Sequence, residues 1–556
     1  MGAWGMIDNA HFNALVERYH AARFERRPTY ATSLGLHAHD HRLEDFSLSA
    51  VPGEVAELED FRDALAAIAP PTLDTALAAD RTWLLAVIDG ELQGLTELRP
   101  LERDPDYYSS QITASAFSLI NRAFAPPEVR AAALLSRLAL MPAALEHARA
   151  NLANPARVLT EIALDQLAGN RSFFRQDVPA AFAGCALQAE VAAACSRVDE
   201  SLAEYGRFLA DELLPRSTGE FAIGEAAYRR KLYADELLDV PLERLRALGE
   251  ADLRRNQAAL QAAAAEIDPL APLAEVLGRL AATHVAPEAL LDTTWQLLDG
   301  VKAFVQERGL LAIPDGPPLH VVETPPFMRA TTSAAMDTPG PFETAGTDAY
   351  FYVTLPNPAW SAAERESYMG QWTRPLIANL AVHEAYPGHY VQFLRMADFP
   401  TASRRVLWSP SNVEGWAHYC EQMMWEEGFG ADDPWHRVAQ LQDALLRNAR
   451  LVVGLALHTG GMTLEAARSF FEQEAYLSPP TAKAEAWRGA SDPTYGYYTL
   501  GKLMLLQLRD DLRARQGDAF KLADFHDAFV RLGPLPLPLV REALVGERGE
   551  PLLALA

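Results

Sequence analysis

Two histidines flank a proline-glycine pair in His383-Glu384-Ala385-Tyr386-Pro387-Gly388-His389, with a glutamate directly after the first. Imidazole and carboxylate side chains are ligands for divalent metals, and the familiar zinc-hydrolase pattern sets two histidines four residues apart on one helix face. Here the second histidine comes two residues later. On an ideal helix, successive side chains turn by about 100°, so His383 and His389 would diverge by roughly 120°. Pro387 lacks an N–H, and its ring collides with the carbonyl four residues back, that of His383, while Gly388 loosens the backbone. The spacing therefore predicts a helix that bulges or breaks at this pair and returns His389 to the face of His383.

A catalytic zinc usually takes three protein ligands and keeps one position for water. Downstream, Glu414, His418 and Glu421 share one helix face at i, i+4 and i+7, beside Trp416, Tyr419, Cys420 and Met424, which read as buried. Isolated carboxylates are costly to bury, so this stripe calls for a cation or hydrogen-bonding partners. Glu414 is the expected third ligand, leaving His418 or Glu421 to orient an imidazole through its free N–H. Glu384 adjoins His383 and can act as general base on water held by the metal. One Zn2+ is the expected cofactor, although the same donors suit manganese, cobalt or nickel.

A developing oxyanion needs a further hydrogen-bond donor. Asp492-Pro493-Thr494-Tyr495-Gly496-Tyr497-Tyr498 places three tyrosines at the entrance to a helix that also carries Lys502, and Tyr495 and Tyr498 could face a cleft or pack. His458, just before Thr459-Gly460-Gly461, could reach the cleft as a catalytic group or cap its helix. Arg488 and Lys502 could bind a substrate carboxylate, since cationic side chains pair strongly with one. Both equally suit a solvated face or pairs with Asp492 and Asp510. His37, His39 and His41 form a further cluster, read as a solvated turn rather than a metal site.

These residues need rigid elements to position them. From about residue 7 to 310, apolar residues recur at helical spacing, punctuated by prolines, which predicts a helical scaffold over 1–310. Between 315 and 357 the runs Leu319–Glu323 and Ala349–Leu355 predict a small sheet, just upstream of the histidines, where an edge strand could hold a peptide. Helices resume near Ala362, so 311–556 reads as sheet plus metal-site region, continuous with the scaffold. The fold class is mainly α, a large helical body around a deep cleft.

A net charge of −25 argues against nucleic acid as partner. The three scattered cysteines imply no disulfide framework, and no stretch has the length and apolarity to span a membrane. With an amino terminus unlike a signal peptide, these features give an expectation of cytoplasmic residence without membrane attachment.

The run HEAYPGHYVQ (His383 to Gln392), Glu414-Gly415-Trp416-Ala417, Asp492-Pro493 and Tyr498-Thr499-Leu500-Gly501-Lys502 resemble the bacterial family known as domain of unknown function 885. The opening signature Arg27-Pro28-Thr29-Tyr30-Ala31-Thr32-Ser33-Leu34-Gly35-Leu36-His37 extends the likeness to nearly the whole chain. That family is similar in plan to helical zinc peptidases with a glutamate third ligand. The resemblance implies a metallopeptidase-like fold with His383, His389 and Glu414 on zinc, Glu384 as base and Tyr498 favoured over its neighbours. Many such peptidases carry an aspartate four residues after the glutamate ligand. His418 stands there instead, which favours Glu421 as the orienting carboxylate. The expected activity is zinc-dependent hydrolysis of short peptides, from the carboxyl end in the preferred version. The alternatives are hydrolysis of a small non-peptide amide and metal-stabilised peptide binding without turnover.

Overall fold

Capping residues and prolines set the start of several helices that position the site. Asp74 accepts a hydrogen bond from Leu77 N–H at the start of Thr75–Gln93, and Thr373 and Ser409 do the same for Arg374–Glu384 and Pro410–Glu426. The structure, a computed structural model, describes residues 3–329 and 332–548. Helices run from Ala3–Arg26 to Leu537–Val545, so the fold is mainly α.

Three short strands form one sheet: β1 (Leu319–Glu323), β2 (Ala334–Asp337) and β3 (Ala349–Val353). The order is β1-β3-β2, with β1 parallel and β2 antiparallel to β3. β1 and β3 fall on the predicted runs, β3 ending two residues early. β2 was not foreseen, because Ala334-Ala335-Met336-Asp337 has no β-branched residue and owes its conformation to pairing with β3. It is an edge strand.

One apolar cluster draws on residues from Phe12 to Val540 and includes Val382, Ala385, Tyr390, Trp416 and Leu500 around the histidine motif. A second, from Phe46 to Leu213, fills the amino-terminal helices. The motif helix (Arg374–Glu384) packs against the Glu414 helix (Pro410–Glu426) and the arginine helix (Pro434–Thr459). The Glu414 helix crosses the Tyr498 helix (Tyr497–Gln516) at two glycines: a Cβ on Gly415 would lie 2.5 Å from Gly501 Cα, and one on Gly501 would lie 2.0 Å from Ser411 O. This backbone contact brings Tyr498 beside Glu414.

Candidate metal centre

The motif helix ends at Glu384, and a second, short helix begins at His389 and runs to Phe393. Between them Ala385 leaves helical conformation, the Tyr386-Pro387 peptide is cis, and Gly388 N–H returns to Val382 O at 3.1 Å. The predicted interruption is therefore a full break. Gly388 is required by space rather than by a left-handed backbone: its φ is −68°, and an added Cβ would lie 1.8 Å from His383 O. The Trp416 indole N–H donates to Pro387 O at 2.9 Å, tying the break to the Glu414 helix.

The break turns both imidazoles toward one point. His383 and His389 have ring centroids 4.9 Å apart at 85°, and their Nε2 atoms lie 3.7 and 3.3 Å from Glu414 Oε2. One donor atom from each of the three residues lies within 4.8 Å of the others, the one such group found among the described residues. Glu414 Oε2 is buried without a hydrogen-bond partner. A buried oxygen facing two imidazole nitrogens is a donor set that fits a zinc-sized cation. Burial alone would raise the Glu414 pKa, but the two histidines outweigh it and hold the carboxyl well below its usual range.

Behind His383 lies a buried polar network. His383 Nδ1 donates to Glu421 Oε1 at 2.7 Å, which leaves Nε2 to face Glu414. Glu421 also pairs with Arg447 at 3.1 Å and accepts from His418 Nδ1 at 3.2 Å. Burial would raise its pKa, yet Arg447 and the two histidines hold it well below the carboxylate range. Asn379 lies on the motif helix four residues before His383 and donates to Asp443 Oδ2 at 2.6 Å and to Glu421 Oε2 at 3.4 Å. Burial pushes the His418 pKa down to about 3, so His418 is a neutral partner of Glu421 and lies outside the three-residue donor group.

A cavity of about 780 Å³ opens over the three donors, lined by Glu384, Tyr498, Arg488, the edge strand β2 and the apolar residues Phe393 and Trp408. The Glu384 carboxylate has no protein partner among the described residues. Tyr498 stacks on His383 at 6.3 Å and 19°, and its hydroxyl oxygen accepts from Arg488 Nη2 at 3.3 Å. Burial and Glu414 push the phenol pKa up while Arg488 and Arg450 pull it down, with a net rise. Tyr498 is thus a neutral donor whose proton is free of Arg488.

Three expected site residues lie elsewhere. Lys502 is buried in an ion pair with Asp252 at 2.8 Å, not with Asp510: it lies one helical turn beyond Tyr498, and Asp252 holds its ammonium away from the cavity lining. Tyr495 is buried against Gly454 and Gly489 and does not line the cavity. His458 Nε2 donates to Gly489 O at 2.7 Å in the core, anchoring two helices. His37 likewise is no solvated turn: it bridges Asp40 and Glu343 and stacks on Phe124 at 3.7 Å.

Arg447, Asn379, Asp443, β2 and Phe393 belong to the site without a sequence motif that marks them. A signal existed for Asn379, one turn before His383 on the same face. Arg447 carries no such signal, because its helix also holds Arg437, Asp443 and Arg450. From the opening signature, Tyr30, Ser33 and Leu34 also reach the cavity wall.

Fold and site define a mainly α protein with a candidate two-histidine, one-glutamate metal centre in a deep cavity. The chain belongs to the family described as "Bacterial protein of unknown function (DUF885)", which matches residues 28–544. A solved structure described as "a putative lipoprotein of unknown function" from Shewanella oneidensis is similar, with a TM-score of 0.79 and 23% identity over 96% of this chain and 99% of that one. Another, "the putative lipoprotein" from Colwellia psychrerythraea, has a TM-score of 0.81 and 20% identity over 97% and 99%. At these identities the likeness establishes the fold. No curated protein sequence matches the chain.

Proposed function

We propose that this protein is a zinc-dependent metallopeptidase that hydrolyses short peptides. The observation that carries the reading is the convergence of His383 Nε2, His389 Nε2 and Glu414 Oε2 in one cavity with Glu384, a carboxylate that no protein group occupies. A divalent ion held by those three residues would acidify water and polarise a carbonyl. Glu384, next in sequence to His383, accepts the proton of the attacking water and delivers it to the departing amine. Tyr498 donates its free hydroxyl proton to the oxygen that gains charge.

The edge strand β2 lines the same cavity and favours an extended peptide over a compact amide, since its unpaired edge can hydrogen-bond a substrate backbone. Three buried free thiols fit a reducing compartment, so cytoplasmic residence stays part of the proposal. No helix among the described residues is long and apolar enough to cross a membrane. Cell fractionation tests the compartment, and recovery with the membrane fraction would overturn it.

The activity is tested by incubating zinc-loaded protein with a defined di- to pentapeptide library and an N-acyl amino-acid panel, read by mass spectrometry. Cleavage of peptides that disappears in Glu384→Gln, with zinc retained, supports the reading. Absence of any peptide product from the wild-type protein overturns it.

A further inference from the structure

The cations around the cavity differ in how their charge is met. Arg404 donates to Asp80 Oδ1 at 2.8 Å, Arg447 pairs with Glu421, and Arg450 takes both oxygens of Glu485 at 2.7 Å each. Arg405 and Arg488 line the cavity with no carboxylate within ion-pair distance among the described residues; Arg405 donates to Phe399 O at 3.1 Å, whereas Arg488 bonds the tyrosine that stacks on His383. The nearest acid along the Arg488 helix, Glu485, is wholly engaged by Arg450. Arg488 is half-buried in the cavity wall, and its one hydrogen bond to the protein goes to the neutral Tyr498 hydroxyl. A guanidinium has five N–H donors in a planar fork that matches a carboxylate, so most of the bonding capacity of this cavity-lining side chain is not used by the protein.

The two histidines give that charge a direction. Tyr498 stacks on His383 and carries Arg488 behind its hydroxyl, whereas Phe393 stacks on His389 at 5.7 Å and 6°, with Trp408 against Phe393 at 6.2 Å. The donor group therefore lies between a cationic wall and an aromatic one. Trp408 is 61% exposed, far more than a core tryptophan, and forms the outer end of the aromatic wall.

We propose that Arg488 binds the terminal carboxylate of the substrate, with the remainder of the chain running past the metal site along Phe393 and Trp408. This rests on the metallopeptidase reading and makes the enzyme a carboxypeptidase acting on short peptides with a free carboxyl end. Arg488 is then a specificity-determining residue: a C-terminal amide loses the charge that Arg488 is placed to meet.

The test uses zinc-loaded full-length protein and matched peptides ending in a free acid or an amide. The wild type is expected to favour the acid in kcat/KM by roughly 10- to 100-fold, the range of a hydrogen bond to a charged group. Arg488→Ala should bring the acid-to-amide ratio near one, and Arg488→Lys should restore part of it. The ratio cancels any general loss from the Tyr498 contact. Calorimetric binding of N-acetylphenylalanine and its amide to zinc-loaded Glu384→Gln protein, with and without Arg488→Ala, reads the same preference without turnover. Acid-selective binding that depends on Arg488 supports the site even if no peptide is cleaved, in which case the peptidase reading alone falls. Equal handling of acid and amide, or an acid preference that survives Arg488→Ala, overturns the proposal even if peptides are hydrolysed.

Discussion

Glu421 Oε1 lies 2.7 Å from His383 Nδ1, and the same carboxylate is the partner of buried Arg447. It therefore fixes which imidazole nitrogen faces Glu414 and neutralises a charge that has no exit to solvent. Glu421→Gln keeps the shape and removes the charge. Zinc affinity, measured by competition with a chelator, is expected to fall roughly 10- to 100-fold. Removing one partner of a buried pair also costs about 3–5 kcal/mol of stability, which urea unfolding would read. Unaltered zinc affinity in a folded variant would remove Glu421 from the site.

Metal uptake should depend on pH in a way set by His383. Burial and Arg447 oppose a positive imidazole there, but Glu414 and Glu421 outweigh them and raise its pKa from 6.5 to about 9. Zinc competes with that proton. Affinity should therefore climb through neutral pH and level off only near about 9, where an ordinary histidine would level off near about 6.5. The sign for the metal-free protein is the reverse: the raised pKa contributes stability that is complete below 6.5 and lost as pH rises through about 9. Chelator competition across this range checks the first statement, and melting curves of metal-free protein check the second. A plateau in affinity already at pH 7 would contradict the ion-pair account of His383.

Gly388 tests the break between the two helices. Alanine there would set a Cβ 1.8 Å from His383 O and 2.5 Å from Val382 O, so the turn must move. The expected outcome is a loss of about 3 kcal/mol or more, with reduced zinc content. Gly278 is the control: it lies within Leu273–Ala281 with no atom near an added Cβ. Gly278→Ala should stabilise by up to about 1 kcal/mol. Equal behaviour of the two variants in unfolding experiments would refute the close-approach argument.

Tyr498→Phe removes the hydroxyl that accepts from Arg488 and faces the cavity. If that hydroxyl stabilises the developing oxyanion, kcat falls by about 10²–10³ while zinc content and KM change little. A rise in KM with kcat unchanged would instead assign Tyr498 to substrate binding.

The three donors were legible because two kinds of pattern coincide there: a metal-ligand spacing interrupted by a helix-breaking pair, and a helix stripe of acids with no other reason to be buried. Lys502, Tyr495 and His458 lie outside the cavity for a common physical cause. Each lies at or near a helix entrance or corner, as its position indicated, but the buried partner each side chain meets depends on packing between helices. For Lys502 the deciding partner is Asp252, 250 residues earlier. β2 was invisible for a related reason, since its strand conformation comes from β3 rather than from its own residues. The mainly α body and two of the three strands needed only local periodicity and composition.

The most direct test of the metal centre is elemental analysis of purified wild-type protein beside His389→Ala and Glu384→Gln. The expected result is about one zinc per chain in the wild type, its loss in His389→Ala, and its retention without peptide turnover in Glu384→Gln. A metal content in His389→Ala equal to that of the wild type would contradict it.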